Sequence, residues 1–255
     1  MSNNKQKTPE EIIAESGNGF NCKVATAFRN AGWDVTLSPY YVDSATNMPR
    51  EFDLLCQKQF TIKGASSREH PLLYQLFVEC KYLKQPIVFW FDIRDRDRAL
   101  LWLNSRTLFK SNYANHAKQH HMQAGGHVAK LFSDGTKEEN REAFYKALAQ
   151  CLGALTQSDW GTTQSKKGTC ISYPVIVHSD TADLYRVDVM NGSSPPTLLE
   201  TNIVLELNYA YMDRRGRNQQ EYFLIDVVRF SRLREFLATL DEEVEAARLF
   251  LGNFL

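Results

Sequence analysis

"LFVECKYLKQPIVFWF", residues 76–91, decides how this chain is read. It is an apolar run of the kind that fills the inside of a sheet, yet Glu79 and Lys81 stand within it, two residues apart. Side chains alternate between the two faces of a strand. Glu79 and Lys81 therefore share one face, while Val78 and Cys80 turn to the other and can enter a core. In isolation such a pair is most often a surface ion pair contributing ~0–1 kcal/mol. The preceding segment changes the weighing. Asp53 lies inside REFDLLC, residues 50–56. Paired residues of an antiparallel hairpin have a constant sum of residue numbers. Asp53 opposite Glu79 centres the turn on residue 66, and Asp53 opposite Lys81 centres it on residue 67. Both fall in KGASSREHP, residues 63–71, the Gly-, Ser- and Pro-containing stretch between the two segments. An ordinary hairpin thus gathers two carboxylates and an ammonium. Adjacent carboxylates repel, and a divalent cation relieves that repulsion. Hard oxygen ligands with an incomplete shell suit Mg²⁺.

Working outward, Thr8-Pro9-Glu10-Glu11 reads as a helix start, with a hydroxyl cap, Pro at the first helical position and acids in the first turn. Phe20, Val24, Ala27, Phe28 and Ala31 continue at helical spacing, Gly17 and Gly19 divide the helix into two pieces, and Gly32 stops it. Strands are expected at 33–42, 51–62, 72–83 and 86–93, followed by a helix over 95–111 and a strongly amphipathic one over 137–155. After the polar 157–169 segment come strands at 171–179, 184–190, 201–212 and 221–230, with the hairpin loop DRRGRNQQ at 213–220 and a final helix from Ser231 towards Leu255. The expected fold is α/β (α+β): a mixed sheet flanked by helices. Residues 1–8 are expected to be a flexible tail, 9–156 a core, 157–169 a linker, and 170–255 a β-rich extension packed on the same sheet.

EFDLL, a turn and then FVECK, preceded by a helix ending in NAGWDV, resembles the PD-(D/E)XK nuclease superfamily, closest to Mrr-type restriction endonucleases. The resemblance covers about residues 10–95, extends loosely to 137–155, and leaves the last hundred residues uncovered. It implies a restriction-endonuclease-like core, extended by the C-terminal strands and final helix. It implies a Mg²⁺- or Mn²⁺-dependent nuclease acting on DNA, of restriction, defence or repair type. Asp53 and Glu79 would be metal ligands, the backbone carbonyl of Cys80 would complete the shell, and Lys81 would position the attacking water and stabilise charge on the phosphate. Two departures stand out. Pro49-Arg50-Glu51-Phe52 precedes the first acid, so the "PD" is not literal. Many relatives carry a Glu after the aromatic of the first helix, where this chain has Asn21; Glu15 or Glu11 would substitute from the preceding turn. The alternative reading is a nucleic-acid- or protein-binding module that keeps the fold without cutting. A third is an RNase, since a phosphate-reading cleft does not reveal its sugar. Cutting both strands of a duplex with one site per chain would favour a homodimer.

Arg94, Arg96 and Arg98 interleave with Asp92, Asp95 and Asp97, with Arg106 and Lys110 further along. They read either as a solvated helix start or as phosphate contacts beside the cleft. Arg214, Arg215 and Arg217, with Gln219, form a compact hairpin tip that either reaches nucleic acid or serves solubility. His116, His120, His121 and His127 cluster in NHAKQHHMQAGGH. His116 and His120 are spaced to pinch a zinc ion on a helix, but no Glu or Cys lies nearby in sequence; a polar helix face near DNA is the other reading.

The bulk properties exclude little. Net charge is zero, so any attraction for a polyanion must come from a local patch. Five cysteines without a C-x-x-C pair read as free thiols of a reducing compartment. No apolar stretch reaches the ~18 residues that span a bilayer. The expectation is a cytoplasmic protein with no membrane partner.

Overall fold

Thr8 caps the first helix as its sequence requires. Its hydroxyl accepts from the Glu11 N–H at 3.3 Å, and the Glu11 carboxylate accepts from the Thr8 N–H at 2.8 Å. The computed structural model describes residues 7–63, 69–106, 119–123, 125–133, 142–157, 169–191 and 194–251. Helix α1 (Pro9–Glu15) is followed by α2 (Asn18–Asn30). Helix α2 ends at Gly32, whose φ of +79° needs no side chain in the way. The Gly32 N–H donates to the Arg29 carbonyl, the Trp33 N–H to the Phe28 carbonyl, and the Phe28 and Trp33 rings pack edge to face, a complete Schellman stop.

The expected 33–42 and 51–62 strands are each broken in two. The first becomes β1 (Asp34–Leu37) and β2 (Tyr40–Asp43); the second becomes β3 (Met48–Glu51) and β4 (Leu54–Lys63). Ser38, at φ +49°, turns the chain away, and two hydrogen bonds hold the breaks together: Ser38 N–H to the Asp53 carbonyl and Phe52 N–H to the Pro39 carbonyl. Strands β2 and β3 form a small separate sheet. The remaining elements are β5 (Glu69–Lys81), β6 (Ile87–Ile93), α3 (Arg96–Arg106), α4 (His120–Gln123), β7 (His127–Ser133), α5 (Glu142–Gln157), β8 (Thr169–His178), β9 (Leu184–Asp188), β10 (Thr197–Leu199), β11 (Ile203–Met212), β12 (Asn218–Arg229) and α6 (Leu233–Leu251).

Among the described residues, the large mixed sheet has ten strands in the order β1-β4-β5-β8-β12-β11-β7-β6-β9-β10. Strands β1, β4 and β5 form an antiparallel meander. Strand β8 runs parallel to β5, and β12 parallel to β8. Helix α5 packs against β5 and β8. Strand β8 is buried on both faces, which explains its nearly uninterrupted apolar sequence. Tyr74 of β5 donates to Glu243 of α6, Trp102 of α3 stacks on Tyr173 of β8, and Lys58 of β4 reaches the Ala31 carbonyl at the end of α2. These residues share one face of the sheet, so α2, α3, α4 and α6 cover that face and α5 covers the other. No helix among the described residues is long and apolar enough to cross a membrane.

The β2–β3 hairpin is anchored through Tyr41, which packs on Phe52; Phe52 packs on Phe77 beneath it. A Cβ at Gly153 of α5 would lie 2.5 Å from the Tyr41 hydroxyl and 2.9 Å from Cζ. Gly153→Ala should therefore lower stability by ~1–3 kcal/mol through overpacking. Combined with Tyr41→Ala it should cost less than the two single changes added together. Denaturant midpoints of the three variants check this.

Candidate active site

The β4–β5 register pairs Leu54 with Val78, so Asp53, one residue before β4, stands opposite Glu79. This is the first of the two pairings that hairpin arithmetic allows; the turn itself lies outside the described residues. The Asp53 N–H donates to Glu79 Oε1 at 3.2 Å, and Lys81 Nζ lies 3.1 Å from Glu79 Oε2. The Asp53 carboxylate accepts from the Cys80 N–H through Oδ2 at 2.7 Å and from Asn21 Nδ2 through Oδ1 at 2.9 Å. Asp53, Glu79 and Lys81 are thus brought together. Cys80 points away into the core, beside Cys56, where burial pushes its thiol up.

Glu79 has no exposed surface, and the Lys81 side chain is 21% exposed. Burial first, and then the charge of Asp53, push the Glu79 carboxyl up to about 8, with Lys81 opposing them. Two carboxylates so placed do not both ionise easily near neutrality.

Parallel register adds two residues that sequence reading passed over. Lys81 pairs with His178, and His178 with Arg229, so one row across β5, β8 and β12 carries three basic side chains on the face of Glu79. His178 is buried, its Nδ1 meets the Ser179 carbonyl at 2.9 Å, and burial holds its imidazole below the usual histidine range. Arg229 Nε is buried without a hydrogen-bond partner among the described residues. Each residue closes an apolar strand, as Lys81 does, but only the pairing of distant strands shows that they lie side by side.

The other expected site residues fall elsewhere. Glu11 is exposed and engaged in the α1 cap. The side chain of Glu15 lies outside the described residues. The helix position where a Glu was looked for is filled by Asn21, which donates to Asp53 instead of adding a charge. Arg94 is 8% exposed and lies beside Tyr222 and Glu206, where burial lowers its pKa; it is no open phosphate contact. Arg98 lies over the Tyr222 ring and bonds Asn208, while Arg96 is exposed. Tyr222, Asn208 and Glu206 share the face of Asp226, so Arg94 and Arg98 stand on the opposite side of the sheet from Glu79. Arg214 Nε donates to the Gln157 carbonyl, Arg217 pairs with Asp213 at 2.6 Å, and Arg215 is exposed. Their tip precedes Asn218, nine residues before Val227, which is level with Glu79; that is roughly 30 Å along the strand. The arginine tip and the acid pair lie at opposite ends of the sheet.

Among the histidines, His116 lies outside the described residues and His127 is exposed. His120 and His121 are not a polar helix face. They are buried on the opposite side of the sheet from Glu79, against Asp226 of β12 and Glu243 of α6. Burial works against a charged His120, but Asp226 and Glu243 outweigh it and hold the imidazole up at about 10; burial pushes His121 down. The acids missing near these histidines in sequence are supplied from more than a hundred residues away.

The raised Glu79 pKa predicts a pH dependence for the protein held in chelator. The folded state keeps a proton that the unfolded chain loses near 4.5, so this group's stabilisation is complete below about 4.5 and is lost as pH rises towards 8. Melting temperature should fall across that window. Glu79→Gln, which mimics the protonated form, should flatten the fall and melt higher than wild type at pH 8. An equally steep pH dependence in Glu79→Gln would refute the assignment.

A comparison with known proteins finds no family that matches this chain, no curated protein that matches its sequence and no solved structure that matches its fold, so a functional reading rests on the chemistry of the site itself.

Proposed function

We propose that this chain is a metal-dependent nuclease hydrolysing phosphodiester bonds, with DNA as the first substrate to test. The observation that carries the reading is Lys81 Nζ at 3.1 Å from a buried Glu79 that also faces Asp53. The order α2, the β1–β4–β5 meander, α5 and parallel β8 supports a restriction-endonuclease-like core, because it is the helix–strand–hairpin–strand setting that the acid-turn-ExK resemblance requires.

The donor set fits a hard divalent cation. Asp53 and Glu79 offer adjacent carboxylate oxygens, and Glu79 Oε2 is buried beside Lys81 without a directed hydrogen bond. Mg²⁺ or Mn²⁺ bound there would polarise a phosphate and lower the pKa of a bound water. Asn21 and the Cys80 N–H hold the Asp53 carboxylate in one orientation. The Lys81 ammonium is placed to hydrogen-bond the attacking water and to meet charge developing on the phosphate. Arg229, partly exposed, extends positive charge along the strand ends, where a phosphate backbone could follow it, while the buried His178 lies between it and Lys81.

A second reading has its own observation. Asn21 supplies a neutral amide to Asp53 in place of a third carboxylate, which favours a module that binds without cutting. Cleavage of plasmid and oligonucleotide DNA in Mg²⁺ or Mn²⁺ separates the two. Lys81→Ala should reduce the cleavage rate by roughly 10²–10³ or more, because its ammonium acts chiefly in the transition state. Its melting temperature should change little, since Glu79 then remains protonated. Cys80→Ala, facing the core, should lower stability more than activity. If Lys81→Ala cuts at the wild-type rate, this strand is not catalytic. A wild-type protein that never cuts yet binds DNA equally in chelator is the non-cleaving module.

A further inference from the structure

Among the described residues, the buried histidine cluster is a polar group that the acid-pair site does not use. His120 Nε2 lies 3.1 Å from Asp226 Oδ2, and His121 Nε2 lies 3.2 Å from the same oxygen. The two rings sit with centroids 3.8 Å apart. The three donor atoms fall within 4.8 Å of one another. His120 Nδ1 is 2.6 Å from Glu243 Oε2, and Glu243 Oε1 accepts from Tyr74 and Tyr173 at 3.0 and 2.6 Å. With Nδ1–H committed to Glu243, the Nε2 atom of His120 is turned towards Asp226.

A proton explains only half of this. An imidazolium at His120 would satisfy both Glu243 and Asp226. His121 would remain, with no exposed surface and, among the described residues, no hydrogen bond at either ring nitrogen. An unsatisfied buried polar group is costly and calls for a partner. Its Nε2 already lies 3.2 Å from an Asp226 oxygen without forming a directed bond. A metal ion between the three atoms accounts for both rings at once. Zinc bonds of about 2.0–2.1 Å at the tetrahedral angle place neighbouring ligand atoms about 3.3 Å apart. The observed 3.1 and 3.2 Å separations lie close to that edge.

We propose that His120 Nε2, His121 Nε2 and an oxygen of Asp226 form a binding site for a transition-metal ion of the zinc class, with Glu243 fixing His120 from behind. Two imidazoles and one carboxylate select such an ion over Mg²⁺ or Ca²⁺. The Glu243–His120 contact is the usual carboxylate support for a metal-bound histidine, and the two tyrosines hold that carboxylate in turn. The site lies on the opposite face of the sheet from Asp53 and Glu79. It ties α4 to β12, and through Glu243 to α6. Its role is structural: Asp226 is three residues before Arg229, so the metal would secure the strand that carries part of the basic row.

The test uses the full chain carrying Asp53→Asn, so that the acid pair does not compete for metal. The protein is stripped with chelator, or refolded from denaturant, and titrated with Zn²⁺ and separately with Co²⁺. The expected result is one equivalent bound, a visible Co²⁺ absorption band of low-symmetry nitrogen and oxygen ligation, and a melting temperature raised by Zn²⁺. His121→Phe, which keeps an aromatic ring against Trp102, should fold but lose the band. Glu243→Gln should weaken affinity by roughly 10–100-fold without abolishing it. The proposal is overturned if the protein, even when refolded with metal present, takes up no Zn²⁺ or Co²⁺. It is also overturned if His121→Phe retains the wild-type stoichiometry and spectrum.

Discussion

The pairing of Leu54 with Val78 is the constraint on which the candidate active site depends. Strand side chains alternate, so a slip of one residue would move Glu79 and Lys81 to the face of Cys80 and part them from Asp53. The register is held by more than backbone bonds. Phe77 packs under Phe52 on one face, Tyr74 bonds Glu243 on the other, and the Cys80 N–H donates to Asp53 at the strand end. The last bond is both structural and chemical. It closes the ladder where β4 begins and sets the direction of a carboxylate.

Strands β5, β8 and β12 therefore carry a polar system on each face, apart from the buried Gln75–Ser172 pair, within a largely apolar core. On the α5 face are Glu79, Lys81, His178 and Arg229; on the α6 face are Tyr74, Tyr173 and Asp226, with His120, His121 and Glu243 brought to them by helices. Buried charge is stable only when it is paired and hydrogen-bonded. Glu243 meets that condition fully, with two tyrosine donors and His120. Glu79 meets it poorly, and this is reflected in a carboxyl that holds its proton to about 8. A buried group left short of partners is a reasonable sign of function, whereas a saturated one more often serves the fold.

Much of this was legible from local pattern. The Thr8 cap, the Gly32 stop, the run of β5 and the amphipathic α5 each depend on residues close in sequence, whose physics does not need the rest of the chain. The juxtaposition of Asp53, Glu79 and Lys81 was also legible, because a hairpin converts sequence distance directly into register. The splitting of the 33–42 and 51–62 strands was not. It depends on Ser38 bonding the Asp53 carbonyl and Phe52 bonding the Pro39 carbonyl, contacts between two segments that are each plausible as one strand.

The sequence by itself determined which strand residues alternate between faces, where the first helix begins and the second ends, and that two acids and a lysine share one hairpin. The tertiary structure alone decided the rest. It buried Arg94, set the arginine tip at the far end of the sheet from the acid pair, aligned His178 and Arg229 with Lys81, and joined His120 and His121 to Asp226 and Glu243. The physical reason is the kind of pairing involved. Antiparallel neighbours joined by a short turn inherit their register from the chain itself. Parallel strands and helices packed across a sheet are matched by burial and shape over long loops, and that match leaves no spacing to read.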